Sequence, residues 1–152
     1  MKAVLAIDPG ARGGIAVITD KKIIRCDKCP NNISHMSIMI NRIVKNCHEK
    51  SYNLEAYIEK VHAFPTDARN SAFKFGMNYG MWLGILASND IIPTKVSPKK
   101  WQKKFQPLSK LKKERKKELR QLATKMFPKV KVTYMNCDAL LIANYGLNYD
   151  RV

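Results

Sequence analysis

The chain has 152 residues, of which 45% are hydrophobic, so it is long enough to fold as a single domain, 1–152, around a substantial core. That hydrophobic share excludes an intrinsically disordered chain. The formal net charge of +16 favours a polyanionic partner, either nucleic acid or an anionic membrane surface. No apolar run reaches the roughly 18–20 residues of a membrane span, and no secretory signal pattern follows Lys2. We therefore expect an intracellular, non-secreted protein.

The N-terminal part of the chain predicts three consecutive strands, over residues 2–8, 15–19 and 23–26. The segment between the first two, from Asp8-Pro9-Gly10 to Gly13-Gly14, has the composition of a tight turn, since proline fixes φ and glycine permits positive φ. Asp20-Lys21-Lys22 is a predicted hairpin turn between the second and third strands. Short turns between sequential strands indicate an antiparallel meander.

The remainder of the chain alternates predicted helices with two further strands. Apolar spacing predicts helices over 34–49, 70–89, 112–127 and 136–145, a short helix over 98–105, and strands over 54–59 and 91–96. Ser34 and Ser97 are the expected N-caps, and Gly146 is the expected C-terminal cap of the last helix. This order predicts an α/β fold with a mixed five-stranded sheet, three antiparallel strands plus two parallel ones, flanked by helices on both faces.

Three carboxylates occupy positions that suit a metal site. Asp8 and Glu59 each end an apolar strand, and Asp138 begins an apolar helix. The topology makes the first and fourth strands parallel neighbours, which would bring Asp8 and Glu59 together. Carboxylate oxygens are the ligands that Mg²⁺ prefers, and two such ions can hold a phosphodiester for in-line hydrolysis. The alternative for each residue is a solvated surface acid, and for Asp138 also a helix cap.

The basic residues are concentrated in one part of the chain. Residues 95–131 hold 15 of the 28 Lys and Arg residues but only two acids, Glu114 and Glu118. A surface this one-sided binds phosphates, although a charge run can also be a merely solvated face. The loop 61–74 adds basic and aromatic residues, which suit phosphate contact and stacking on unpaired bases. The DNA-binding candidates are Arg12, Arg69, Phe73, Lys74, Lys99, Lys100, Lys103, Lys104, Lys110, Lys112 and Lys113. Phe75 is the alternative to Phe73 as the aromatic contact.

Gly76, Gly80 and Gly84 recur at four-residue spacing on the second predicted helix. Each costs about 1 kcal/mol relative to Ala in a helix, so we expect another backbone to approach this face closely. One interpretation is packing on the protein's own sheet, and the other is a two-fold dimer contact. The candidate dimer interface comprises Gly76, Met77, Gly80, Met81 and Gly84, with Trp82 beside it.

Five ordered motifs resemble the RuvC family of Holliday junction resolvases, in particular its compact phage, viral and organellar-type members. They cover nearly the whole chain. The motifs are Ile7-Asp8-Pro9-Gly10 with Gly13-Gly14, Tyr57-Ile58-Glu59-Lys60-Val61 with Phe64-Pro65, Phe73-Lys74-Phe75-Gly76 with Tyr79-Gly80 and Leu83-Gly84, Val96-Ser97-Pro98-Lys99-Lys100-Trp101-Gln102-Lys103, and Asp138-Ala139-Leu140-Leu141-Ile142-Ala143.

The resemblance implies an RNase H-like fold, a homodimer, and paired symmetric nicking of four-way DNA junctions in recombination and repair. It also implies dependence on Mg²⁺, with Mn²⁺ as a substitute, and no small-molecule cofactor. Asp8, Glu59 and Asp138 match three of the family's four catalytic acids. The fourth acid lies a few residues before the last one, but residues 131–137 contain none. Asn136, Thr133 or a water is the expected replacement, with weaker affinity for one ion.

Two other functions are compatible with these residues. One is another RNase H-like nuclease that acts on RNA–DNA hybrids or branched DNA. The other is a junction-binding protein with weak or no catalysis, as the missing acid suggests. Cys26 and Cys29 have the spacing of half a zinc site, without a second pair to complete it.

Overall fold

The computed structural model describes residues 1–149, which build a five-stranded sheet between two layers of helices. Residues 150–152, the end of the predicted domain, lie outside the described residues. The strands are β1 (Lys2–Asp8), β2 (Gly14–Thr19), β3 (Ile23–Lys28), β4 (Asn53–Glu59) and β5 (Thr94–Val96). The helices are α1 (Ile33–Glu49), α2 (Arg69–Ser88), α3 (Pro98–Gln102), which continues as a 3₁₀ turn (Lys103–Phe105), α4 (Lys112–Met126) and α5 (Cys137–Leu147).

β1 lies at the centre of the sheet, whose strand order is β3-β2-β1-β4-β5. It pairs antiparallel with β2 and parallel with β4, in a register that sets Ile7 opposite Ile58. β4 pairs parallel with β5, so the carboxyl ends of these three strands share one edge. The predicted mixed sheet is confirmed, and its register places the next residues along, Asp8 and Glu59, at neighbouring positions on that edge.

Successive residues of β1 serve two different core layers, because side chains alternate between the faces of a strand. Val4 and Ala6 pack in the layer covered by α3, α4 and α5. Leu5 and Ile7 pack in the layer covered by α1 and α2. All four are fully buried, which explains why β1 is a continuous apolar run and why helices lie on both faces, as predicted.

Two element boundaries differ from the sequence prediction. The N-cap of α1 is Asn32, not Ser34, because the Asn32 side chain accepts a hydrogen bond from the His35 backbone N–H at 2.9 Å. β5 covers only residues 94–96. The chain leaves α2 through Asp90 at φ +57°, and the pairing with β4 begins only at Thr94. The predicted N-cap Ser97 is confirmed.

Gly146 lies inside α5 and is not its C-terminal cap, which is Asn148. A Cβ at Gly146 would lie 2.6 Å from the Tyr57 ring, so the glycine permits close approach of the helix to β4. α5 is apolar almost throughout because it packs across the middle of the sheet. Among residues 1–149, no helix has both the length and the apolar character needed to cross a membrane.

Candidate active site

Asp8 is held at the carboxyl end of β1 by the loop that follows it. The Gly13 N–H donates to the Gly10 carbonyl at 3.0 Å, and Gly10 adopts φ +115°, which only glycine takes readily. The Gly10 N–H also donates to Asn78 Oδ1 at 2.9 Å, which ties the loop to α2. The turn predicted from Asp8-Pro9-Gly10 therefore fixes the backbone beside the carboxylate.

Glu59 ends β4, and its side chain is fixed by Trp101. The indole Nε1–H donates to Glu59 Oε2 at 2.7 Å, and Trp101 is fully buried. Trp101 reaches this position because Ser97 and Pro98 start α3 immediately after β5. The glutamate is thus held from a neighbouring element on the same sheet edge.

Asp138 lies in the first turn of α5, and the loop before it is internally bonded. Asn136 Oδ1 accepts from the Thr133 N–H at 2.8 Å, and Asn136 Nδ2 donates to the Lys131 carbonyl at 3.1 Å. A Cβ at Gly14 would lie 2.4 Å from the Met135 carbonyl, so glycine lets this loop approach the end of β2. That approach brings the start of α5 to the edge where β1 ends.

The Asp138 carboxylate is paired with an ammonium group. Lys116 Nζ on α4 lies 2.5 Å from Asp138 Oδ2, and Cys137 Sγ donates to Asp138 Oδ1 at 3.4 Å. Burial lowers the pKa of Lys116, but the interactions with Asp138, Cys137 and Asp8 together more than offset this, so the pKa is raised overall. Lys116 is therefore a fixed positive charge among the acids.

The three carboxylates interact electrostatically. Burial raises the pKa of Asp8 well above its ordinary value, and the charges of Glu59 and Asp138 raise it further. Burial raises the pKa of Glu59 to about 7, against the opposing effect of the Trp101 hydrogen bond. Like charges close together in a poorly solvated site resist joint ionisation. The three predicted acids are therefore close enough to influence one another's ionisation.

The chemistry of the donor set, but not its present geometry, suits a hard divalent cation. Three poorly solvated carboxylates face a single ammonium, and oxygen donors are those that Mg²⁺ and Mn²⁺ prefer. Within the described part of the chain, however, no three His, Cys, Asp or Glu side chains are gathered in the geometry of a metal site. Trp101 holds one oxygen of Glu59 and Lys116 holds one oxygen of Asp138. Any cation at Asp138 therefore competes with Lys116.

No family model matches the sequence, and no curated protein matches it. Two solved structures share the fold over almost the full length of both chains. RuvC of Thermus thermophilus in complex with Holliday junction substrate has a TM-score of 0.65 and 15% identity, and the alignment covers 99% of this chain and 96% of that one. A further Thermus thermophilus RuvC structure has a TM-score of 0.64 and 15% identity, with coverage of 98% and 96%. The chain has the RuvC fold. The resemblance indicated by the sequence motifs is confirmed at that level.

Asn136 and Thr133, two expected replacements for the fourth acid, both bond the backbone of their own loop, and a metal role for either stays a prediction. The Asn136 amide is 5% exposed and is used to bond the backbone of its own loop, and Thr133 Oγ1 accepts from the backbone of the same loop. Met135, three residues before Asp138, is 39% exposed. The side chain that pairs with Asp138 is thus a cation, Lys116, and residues 131–137 supply no further acid.

The basic DNA-binding candidates all lie on the surface. Every Lys and Arg in that set is exposed, from Arg12 beside the Asp8 loop to Lys113 at the start of α4. Phe73 is 70% exposed, whereas Phe75 packs its ring against Gly10, where a Cβ would lie 2.9 Å from it. Lys100 Nζ lies 3.4 Å from the Tyr149 hydroxyl. Contact with DNA remains a prediction for all of these residues.

The glycine face of α2 is open. A Cβ built at Gly76, Gly80 or Gly84 would meet nothing within 4 Å in the described chain. The interpretation that these glycines pack on the protein's own sheet is therefore wrong. Met77 is 49% exposed beside them, whereas Trp82 is fully buried and cannot line an interface on this face.

Two residues of the site were missed from the sequence, in part or entirely. Trp101 is not among the site residues predicted from the sequence, but it bonds Glu59. Lys116 was counted as one more basic residue, although it shares a helix face with the buried Leu119 and Ala123 at three- and four-residue spacing. That spacing was a usable signal that Lys116 points inward. Among the described residues, Cys26 belongs to no group of His, Cys, Asp or Glu side chains that could hold a metal ion, and burial raises the pKa of its thiol to about 12.

Proposed function

We propose that this chain is a metal-dependent DNA endonuclease that resolves four-way junctions by paired symmetric nicks. The observation that carries the proposal is the electrostatic interaction of Asp8, at the carboxyl end of the central strand of a RuvC fold, with Glu59 and Asp138. A net charge of +16 suits a DNA substrate. The structurally similar RuvC of Thermus thermophilus was solved with a Holliday junction, which supports the same substrate class for this chain.

The residues divide the proposed work among them. Asp8 lies nearest the centre of the sheet and interacts with both other acids, which suits a carboxylate shared by two ions. Glu59, oriented by Trp101, and Asp138, paired with Lys116, would each hold one ion. Two Mg²⁺ ions, or Mn²⁺ in their place, would supply the positive charge that stabilises the attacking and leaving oxygens of a phosphodiester. The exposed lysines and arginines of the candidate set would position the junction arms through their phosphates.

A homodimer is part of the proposal. The open glycine face of α2 lets the backbone of a second copy approach closely, and Met77 offers exposed apolar surface beside it. A two-fold dimer carries two identical sites, which matches the two symmetric strands cut at a junction. The proposed interface comprises Gly76, Met77, Gly80, Met81 and Gly84.

The test is cleavage of a labelled mobile four-way junction in Mg²⁺ and in Mn²⁺, with linear duplex and RNA–DNA hybrid as comparison substrates. We expect paired symmetric nicks in the junction, lost in Asp8→Asn and retained in Asp20→Asn, which removes a charge from an exposed turn. Preferential cutting of the hybrid would instead assign the chain to another class of RNase H-like nuclease.

A junction-binding protein without catalysis is the second candidate, and a specific observation favours it. Lys116 occupies one oxygen of Asp138, and the fourth family acid is absent. This candidate predicts tight junction binding with no nicks in either metal. Nicks that require Asp8 would exclude it, and binding without nicks would replace the endonuclease proposal.

A further inference from the structure

An exposed groove runs along α4, and of its lining residues only Lys112 and Lys113 belong to the DNA-binding candidates named from the sequence. Two adjoining clefts of about 330 and 640 Å³ lie between α4 and the loop that precedes α5. They share Lys117 and Tyr134 as lining residues. We call these two clefts together the α4 groove, lined by Lys112, Lys113, Glu114, Lys116, Lys117, Arg120, Gln121, Thr124, Lys125 and Tyr134.

Tyr134 has the environment of a stacking surface. It is 47% exposed, and its ring borders both clefts. The Arg120 guanidinium lies 4.6 Å from the ring centroid, a cation–π distance that holds the aromatic ring in place. Met135, next in the chain, is 39% exposed, so apolar surface continues past the ring toward α5. Tyr134 belongs to neither core cluster of the described residues.

The groove leads directly to the acid cluster. Lys116 lines it and also pairs with Asp138, so one side chain belongs to both. Lys112, Lys116 and Arg120 follow one another at four-residue spacing on α4 and therefore form a single cationic row. The row borders the buried face of α4, which carries Leu119 and Ala123. Lys116 is therefore half-buried, whereas Lys112 and Arg120 are exposed.

We propose that the α4 groove binds the DNA strand that continues from the cleaved phosphate, with a base of that strand stacked on Tyr134 and its phosphates on Arg120 and Lys117. Stacking on an exposed tyrosine requires a base without its pairing partner, as at a branch point, so the ligand is an unpaired stretch of DNA. The inference rests on the proposed function, because it assumes that the cut is made at the acid cluster.

The experiment measures binding in EDTA, so that neither cleavage nor metal contributes. Fluorescence anisotropy gives the affinity for a labelled four-way junction and for a labelled single strand between 50 and 200 mM salt. Arg120→Ala is compared with Arg42→Ala, which removes an exposed arginine from α1 on the other face of the sheet. Tyr134→Ala is compared with Tyr134→Phe, which keeps the ring. Thermal unfolding of each variant checks that the fold is intact.

Loss of the Arg120 charge and loss of the Tyr134 ring should affect DNA binding in different ways. Arg120→Ala should reduce the slope of log affinity against log salt by about 0.7, the loss of one single-strand phosphate contact, while Arg42→Ala leaves it unchanged. Tyr134→Ala should weaken single-strand binding roughly 5- to 150-fold at an unchanged slope, and Tyr134→Phe should bind like the wild type. Equal effects of Arg120→Ala and Arg42→Ala, or no effect of Tyr134→Ala, would overturn the groove proposal. Failure of the wild type to prefer the junction would instead overturn the proposed function, and the single-strand results would still decide the groove.

Discussion

The indole of Trp101 donates a hydrogen bond to Glu59 Oε2 at 2.7 Å, linking the short helix after β5 to a candidate metal ligand at the end of β4. The bond favours the ionised form of Glu59, whereas burial opposes it more strongly. Trp101 is therefore a positioning residue that also keeps the pKa of Glu59 from rising further. Its exchange tests both roles.

Replacing Trp101 by Phe should shift the acidic limb of the pH–activity profile to higher pH. Glu59 must be ionised to hold a cation, and loss of the hydrogen bond raises its pKa above the present value of about 7. We expect reduced junction cleavage near neutral pH that recovers substantially as the pH is raised. The measurement is the cleavage rate at saturating Mg²⁺ from pH 6 to pH 9.5.

Trp82→Phe is the matched control for this substitution. Trp82 is also fully buried, and its Nε1–H has no hydrogen-bond partner in the described residues. The same loss of ring volume at Trp82 should leave the pH profile in place. An unshifted profile in Trp101→Phe, or an equal shift in both variants, would contradict the role given to Trp101.

Glu59→Gln should stabilise the metal-free protein above pH 7. The pKa of Glu59 is raised from an ordinary 4.5 to about 7, so the folded state takes up a proton more readily than the unfolded chain. That contribution to stability is fully present below about pH 4.5 and is lost as the pH rises through 7. Glutamine removes the charge and still accepts the hydrogen bond from Trp101. We expect this to raise the free energy of unfolding by on the order of 2–3 kcal/mol at pH 8.

Chemical unfolding in EDTA at pH 4.5 and pH 8 checks this expectation. The higher free energy of unfolding of Glu59→Gln should appear only at the higher pH. Adding Mg²⁺ should reduce the difference, because the cation stabilises the wild type. Glu114→Gln, on the exposed surface of α4, should change neither value. A gain of equal size at both pH values would show that ionisation of Glu59 is not its source.

The sequence was sufficient where a local pattern reports its environment directly. β1 is buried on both faces, so its apolar run and the terminal Asp8 could be predicted, and so could the parallel pairing of β1 with β4. The partners of the acids come from elements distant in sequence, Lys116 from α4 and Trp101 from α3, and only the packed structure pairs them. Gly146 was misassigned because a glycine near a helix end predicts a cap equally well as a close contact, here with Tyr57.

Lys116→Met should destabilise the metal-free protein and do so less when Mg²⁺ is present. Removing the ammonium leaves Asp138 without its ion partner beside two other acids, which we expect to cost about 1–2 kcal/mol at this partly exposed pair. A bound cation replaces the lost charge. Chemical unfolding with and without Mg²⁺ measures both values, and Lys117→Met, one residue along and exposed, is the control.

An equal loss of stability with and without Mg²⁺ would show that Lys116 and the cation do not act on the same carboxylate.

Lys116→Met should also raise the affinity of the site for Mg²⁺. Without a competing ammonium at Asp138 Oδ2, half-maximal stabilisation should be reached at lower Mg²⁺ concentration than in the wild type.

Gly80→Leu should disrupt the proposed dimer without destabilising the folded monomer. Nothing in the described chain lies within 4 Å of a Cβ at this position, so the side chain fits the monomer. Leucine also favours the helix over glycine by up to about 1 kcal/mol, so the monomer should be no less stable. On a close two-fold contact, however, it would hold the second backbone away. Light scattering should give about twice 17.4 kDa for the wild type and 17.4 kDa for the variant.

Gly146→Ala is the control for a glycine that the fold itself requires. A Cβ at Gly146 would lie 2.6 Å from the Tyr57 ring, so this substitution should destabilise the monomer. A wild type that is monomeric at micromolar concentration, or a Gly80→Leu variant that stays dimeric, would place the proposed interface elsewhere or remove it.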